Sequence, residues 1–348
     1  MAIIGGLDVH RAQITYDCVD TETGEVMRGQ VRPATRLALR GWLEARFEGS
    51  QDVKLAVEGC TGWRFVVEEL QRAGVEPHLA EPADTSAARG RKKRAKTDRT
   101  DARLLRDLLS QERLPESWIP PAHVQEVRIL ARSYLALVAE RRAWRQRVHA
   151  QLYHQGVPGI AALLTCEGRA RLEAAELSPA GRRAVDIALH MVAAIEQELA
   201  PLKTQLEQLS ARQPGARALD ALFGIGPLTA IVIWAELGDC QRFRRSDQVV
   251  RLDGLDVTVW SSDGKRSAGH LARQGPAALR WALYEAAMTS TRETSPDHDY
   301  YQSVHERLSG KRAVLSVARK LARRCYHTLR ELGDAALAPP EEPMHQAA

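Results

Sequence analysis

The sequence predicts an α/β domain followed by all-α segments: a mixed sheet at the N-terminus, a helical coiled-coil middle and a helical C-terminal part. Short apolar runs with strand-like alternation crowd the first 80 residues, and steps of three and four dominate after residue 120. Aromatics make up only 5% of the chain, so aliphatic side chains carry the burial, as in helix-rich proteins. A length of 348 residues exceeds one ordinary core, so two or three domains are expected.

Ile3-Ile4-Gly5-Gly6-Leu7-Asp8 is an apolar run ending in an acid. Ile14, Tyr16 and Cys18 alternate next, and a turn at Thr21–Gly24 leads into Val26–Val31, which together read as a three-strand meander. Leu39, Trp42, Leu43 and Phe47 take helical spacing; Val53, Leu55 and Val57 alternate up to Glu58. Trp63, Val66, Val67 and Leu70 form a helical stripe stopped by Gly74, and Val75–Ala80 reads as a further strand. The order β-β-β-α-β-α-β starts antiparallel and is not an alternating dinucleotide-fold pattern.

Residues 81–96 read as a loop that turns strongly basic, and a helix is expected from about Asp98 to Ser110. Pro115, Pro120 and Pro121 mark a boundary. Residues 123–155 read as a long arginine-rich helix, and a second helix carries Val185, Ala188, Val192, Ile195, Leu199, Leu202, Leu206 and Leu209 as a heptad seam. Pro201 inside that seam reads as a kink or as a helix start. Residues 216–334 are again helical, with a glycine- and serine-bearing interruption at 254–275, and the tail from Ala335 reads as disordered. The expected domains are 1–112, 113–213 and 214–334, with 335–348 as the tail.

Charge and cysteine usage narrow the function. The net charge of +5 is mild, but the basic residues cluster, which is what phosphate binding needs. The five cysteines lie far apart with no CxxC pair, against a structural zinc site or a disulfide framework. No signal peptide opens the chain and no apolar run reaches the roughly 20 residues of a bilayer span, so no membrane partner and a cytoplasmic location are expected.

Four acids stand out. Asp8 and Glu58 each end a strand that the β-α-β order places side by side, and Asp98 and Asp101, three apart, share a helix face that Leu105 and Leu108 continue inward. Converging carboxylates need cations, and hard oxygen ligands favour Mg²⁺ or Mn²⁺, which can drive phosphoryl transfer. Arg91, Lys92, Lys93, Arg94 and Lys96 lie beside them as a phosphate-holding wall. Arg128, Arg132, Arg141 and Arg145 form a helical stripe with few balancing acids nearby (Glu126 and Glu140), suited to the backbone of a folded RNA. Gly224-Ile225-Gly226 reads either as a helix–hairpin–helix offering N–H groups to a phosphate or as a plain interhelical turn.

Three motifs carry a resemblance: Gly6-Leu7-Asp8-Val9-His10, Val57-Glu58-Gly59-Cys60-Thr61-Gly62-Trp63 and Lys96-Thr97-Asp98-Arg99-Thr100-Asp101-Ala102. They resemble the DEDD motifs of insertion sequence 110 family transposases. Arg128–Arg132, the 185–209 seam, Phe223–Ala230, Gly254-Leu255, Ser261–Lys265, Gly269–Leu271 and Leu279-Arg280 extend the likeness over nearly the whole chain. The resemblance implies an N-terminal RNase H/RuvC-like fold with Asp8, Glu58, Asp98 and Asp101 as metal ligands. It also implies a serine nucleophile, a structured noncoding guide RNA that pairs with donor and target DNA, and a homodimer that joins into a homotetramer. Residue by residue, the nucleophile falls on Ser262, with Ser261 as the alternative, because Ser-Asp-Gly stands where the family usually has Ser-Gly. Lys265, Arg266, Arg273 and Arg280 around it are candidate DNA-backbone contacts, and Lys311, Arg312, Lys320, Arg323 and Arg324 could act likewise from the last helix. The rival expectations are a junction-cleaving endonuclease in which water attacks, and a non-catalytic nucleic-acid-binding remnant.

Overall fold

The structure is a computed structural model; it describes residues 2–47, 52–88, 97–258, 261–262, 265–266, 269–272 and 274–341. The chain forms two compact units, Met1–Ile119 and Pro120–Ala348.

The first unit is mixed α/β. Its strands are β1 (Ala2–Val9), β2 (Ile14–Asp20), β3 (Val26–Val31), β4 (Asp52–Glu58) and β5 (Glu76–Ala80), in spatial order β3-β2-β1-β4-β5. The meander β1-β2-β3 is antiparallel, whereas β4 joins β1, and β5 joins β4, in parallel. The helices are α1 (Arg36–Phe47), α2 (Trp63–Arg72), α3 (Pro82–Ala88) and α4 (Asp98–Ser110). Strand alternation divides the sheet between two cores. Ile3 and Leu7 of β1 and Leu55 and Val57 of β4 meet Leu39, Leu43, Val66 and Leu70 of α1 and α2. On the other face Ala56 and Ala80 meet Leu105 and Leu109 of α4, with Ile4 packed alongside. Asp8 and Glu58 share the strand parity of Ile4 and Ala56, so both face the α4 side.

Part of the expected loop from residue 81 is helical instead. The Glu81 carboxylate accepts the Asp84 N–H at 2.7 Å, and Pro82 supplies a fixed φ in the first turn, which together start α3.

The second unit is helical: α5 (Ala122–His154), α6 (Cys166–Glu173), α7 (Pro179–Arg212), α8 (Pro214–Asp220), α9 (Pro227–Leu237), α10 (Ser246–Leu252), α11 (Ala277–Ala287), α12 (His298–Arg307) and α13 (Gly310–Leu332). The expected seam is the buried stripe of α7, which packs along α5 through Val148, Leu152, Val185 and Ala188. The helix starts at Pro179 under a Ser178 cap and runs through Pro201, so that proline is not a helix start. The 254–275 interruption holds four two-residue strands: β6 (Val257–Thr258), β7 (Ser261–Ser262), β8 (Lys265–Arg266) and β9 (His270–Leu271), with β6 paired to β9 and β7 to β8.

The tail departs from expectation. Residues 335–341 are ordered, because the Ala336 carbonyl accepts from Trp234 Nε1 at 2.7 Å and Gln213 Nε2 at 3.0 Å, and the Glu341 N–H donates to Arg212 O. Residues 342–348 lie outside the described residues.

Candidate acidic metal centre

Asp8 is next to last in β1 and only 5% exposed. The parallel register pairs Leu7 with Val57, which sets Asp8 beside Glu58 at the end of β4. The thiol of Cys60 marks the same place: burial raises it, and the carboxylates of Glu58 and Asp8 both add to that shift.

The other two acids ride on the first turn of α4. Thr97 caps this helix in extended conformation, its hydroxyl accepting the Thr100 N–H while Thr100 Oγ1 accepts the Thr97 N–H. Asp98 follows directly, 42% exposed at its side chain, and Asp101 is buried one turn on. Two features bring this turn to β1. Gly6 has no side chain, and a Cβ there would stand 2.1 Å from Ala102 O and 2.7 Å from Arg106 N. Farther along, buried Arg106 pairs with buried Asp17 of β2, which Arg28 also contacts at 2.7 Å.

Asp8 feels the acids of α4. Burial raises the Asp8 carboxyl above its ordinary range, Asp101 and Asp98 push it further up, and His10 opposes them. His10 Nε2 lies 3.1 Å from Asp8 Oδ2 and 3.5 Å from Asp98 Oδ1. One ligand atom each of Asp8, His10 and Asp98 fall within 4.8 Å of one another. Gln13 Nε2 donates to Asp98 Oδ2 at 2.9 Å and is itself held by Arg32. A set of carboxylate oxygens with one imidazole, brought this close together, fits a divalent cation.

Sequence reasoning named the four acids but not His10 or Gln13. The signal for His10 was the spacing in Asp8-Val9-His10: alternate positions of an extended chain share a side. Gln13 carried none, since its partner lies 85 residues away.

The nucleic-acid residues fare unevenly. Arg91, Lys92, Lys93, Arg94, Lys96 and Arg273 lie outside the described residues. Ser262, Lys265 and Arg266 are described in backbone only, with Ser262 paired to Lys265 and Ser261 to Arg266. Two arginines of the α5 stripe have partners within the fold. Arg128 donates to Ala235 O and Glu236 O, and burial lowers it to about 10; Arg132 forms a two-bond pair with the Glu236 carboxylate at 2.8 and 2.9 Å. The balancing acid absent from α5 comes from α9, so these two guanidinium groups have internal work. Arg141 reaches Glu196 at 3.8 Å, and Arg145 has no ion pair among the described residues. Arg280 ties two main-chain carbonyls, Asp253 O and Gln274 O, into the loop before α11.

A five-stranded mixed sheet with acids from two strand ends and one capped helix defines a candidate metal-dependent phosphoryl-transfer centre. Comparison with known proteins names the family. Residues 5–155 match the IS110-type DEDD transposase family, and residues 216–302 match the family described as Transposase IS116/IS110/IS902. The protein y4rJ of Sinorhizobium fredii, which carries a transposase name, is 30% identical over 63% of this chain and 60% of its own. The transposase for insertion sequence element IS1111A of Coxiella burnetii is 22% identical over 77% of this chain and 75% of its own. A Pseudomonas aeruginosa protein assigned to family 20 transposases is 23% identical over 91% of this chain and 94% of its own. The chain belongs to the IS110 family of transposases, and so to the DNA transposase/recombinase enzymes. Among the described residues no helix is long and apolar enough to cross a membrane.

Proposed function

We propose that this protein cuts and rejoins donor and target DNA with a DEDD metal centre and a serine nucleophile, guided by a structured noncoding RNA. The observation that carries the reading is the convergence of Asp8, His10 and Asp98 ligand atoms within 4.8 Å of one another at the edge of one mixed sheet, in a chain of the IS110 family. The sheet order and the placement of α4 on it support an RNase H/RuvC-like unit.

Asp8, Glu58, Asp98 and Asp101 would hold Mg²⁺ or Mn²⁺, with His10 at the edge of the set. Bound divalent cations supply positive charge for a phosphodiester undergoing displacement. The Ser262 hydroxyl attacks phosphorus: an Oγ–P bond forms, the bond to one sugar oxygen breaks, the serine proton passes to a base and the departing oxygen takes one up. The resulting phosphoserine ester keeps the ester bond for rejoining without ATP. Gln13 and His10 fix the Asp98 and Asp8 carboxylates, and the Gly6 approach holds the α4 acids over the strand ends. Arg145 and the basic run at 91–96 supply candidate backbone contacts to nucleic acid. Homodimers that join into a tetramer are the working assembly in this reading.

The test is a Ser262→Ala variant beside Asp98→Asn, assayed on DNA carrying the element's ends. The reading expects a covalent protein–DNA species on denaturing gels with the native chain and none with either variant. Cutting that persists in Ser262→Ala would establish instead a junction endonuclease that uses water. RNA that co-purifies should be a discrete species complementary to the element's ends; its absence removes the guide from the reading.

A further inference from the structure

We propose that a cleft at the foot of the Ser262 hairpin binds one unstacked nucleotide of single-stranded DNA, with the base on its apolar wall and the phosphate at Arg312. The inference rests on the proposed function and adds a ligand subsite to it. The cleft measures about 630 Å³ and lies among β6, β9, the Leu308 corner and α13. That size is inside the range of about 300–1,000 Å³ for small-ligand pockets.

Its two sides differ in chemistry. One is apolar: Val257, Leu271, Leu308 and Leu315 line it, and Leu308 is 56% exposed. Large aliphatic groups bared around a concave surface mark a binding site more than a solvated one. The other side is cationic. Arg312, Ser316 and Arg319 sit at steps of four and three on α13 and share a face. Arg319 is anchored by a 2.7 Å bond to Leu255 O, and Asp253 and Asp256 partly offset its charge. Arg312 is exposed and has no ion pair or hydrogen bond among the described residues. Among the described residues no carboxylate lines the cleft. A free phosphate would use the arginine and leave the leucines wet, and an acidic peptide would lack a flat apolar face. A nucleotide satisfies both sides, but only when its base has left the duplex stack.

The position ties the cleft to the reaction. Thr258 pairs with His270 at the cleft, and the Ser262–Lys265 pair lies between these two residues in sequence. In this proposal a strand held at Ser262 also reaches the cleft.

The test measures binding of the full chain to labelled short oligothymidine, an abasic strand of equal length, and oligouridine, by fluorescence anisotropy. Oligothymidine should bind about tenfold more tightly than the abasic strand. Leu308→Asp should abolish that difference, and Arg312→Glu should weaken both by about tenfold. Circular dichroism on both variants checks folding; each site is exposed. Retention of the thymine preference in Leu308→Asp overturns the inference, as does preference for oligouridine over oligothymidine. A protein that cuts DNA in an Asp98-dependent way but never distinguishes thymine from abasic strand loses the cleft alone. One that neither binds these strands nor cuts DNA loses the proposed function with it.

Discussion

The carbonyl oxygen of Ala102 fills the space a side chain on Gly6 would need, 2.1 Å from the position of a Cβ. Backbone cannot swing aside as a side chain does, so Gly6→Ala must lift α4 from β1. The expected cost is about 1–3 kcal/mol, read as a melting temperature several degrees lower. DNA cleavage should fall further than stability explains, because Asp98 and Asp101 move with the helix.

Divalent cations are expected to stabilise the protein. A ligand that binds only the folded state at a hundredfold over its Kd adds about 2.7 kcal/mol. Mn²⁺ or Mg²⁺ should therefore raise the melting temperature and EDTA should reverse the rise. Asp98→Asn should blunt the response, and Asp8→Asn should remove a buried charge and its repulsion by neighbouring acids and so stabilise the metal-free protein. Thermal scans with and without metal check both outcomes.

The Arg132–Glu236 pair makes a different prediction. Glu236 is 1% exposed whereas the Arg132 side chain is 58% exposed, so water screens one partner only. Glu236→Ala leaves Arg128 and Arg132 facing an empty site and should cost about 2 kcal/mol, below the 3–5 expected for a fully buried pair. Arg132→Ala should lower stability while changing RNA affinity little. Chemical denaturation and RNA titration separate the two effects.

Asp253 is fully buried, and burial pushes its carboxyl up to about 7. Oδ1 accepts the Leu255 N–H at 2.8 Å, and Oδ2 has no hydrogen-bond partner. Arg280 and Arg319 oppose the shift, and Asp256 adds to it. The folded state thus holds this proton more tightly than the unfolded chain. Stability from this group is complete below the ordinary carboxylate range and is lost as pH rises through about 7. Asp253→Asn should flatten that decline and raise the melting temperature at pH 8, measured by scans between pH 5 and 8.

Much of the first unit was legible because its signals are local. Alternation in Ile14, Tyr16 and Cys18 and the turn at Thr21–Gly24 anticipate β1–β3, and strand-end acids flanking a helix anticipate the Asp8–Glu58 neighbourhood. Three kinds of feature were not legible. Strands of two residues, as in β6–β9, are too short for periodicity to register. The α3 start depends on the Glu81 carboxylate reaching forward to the Asp84 N–H. Long-range partners, Gln13 for Asp98 and Glu236 for Arg132, lie 85 and 104 residues away, so an arginine stripe with few local acids looked free for RNA.

The Ala336 carbonyl also bears on how the chain can be shortened. Cutting after Leu332 strips an acceptor from the indole of Trp234 and the amide of Gln213, both wholly enclosed by protein. Tags and fusion partners therefore belong beyond Glu341, and a library of C-terminal deletions should lose soluble yield abruptly once it crosses Ala336.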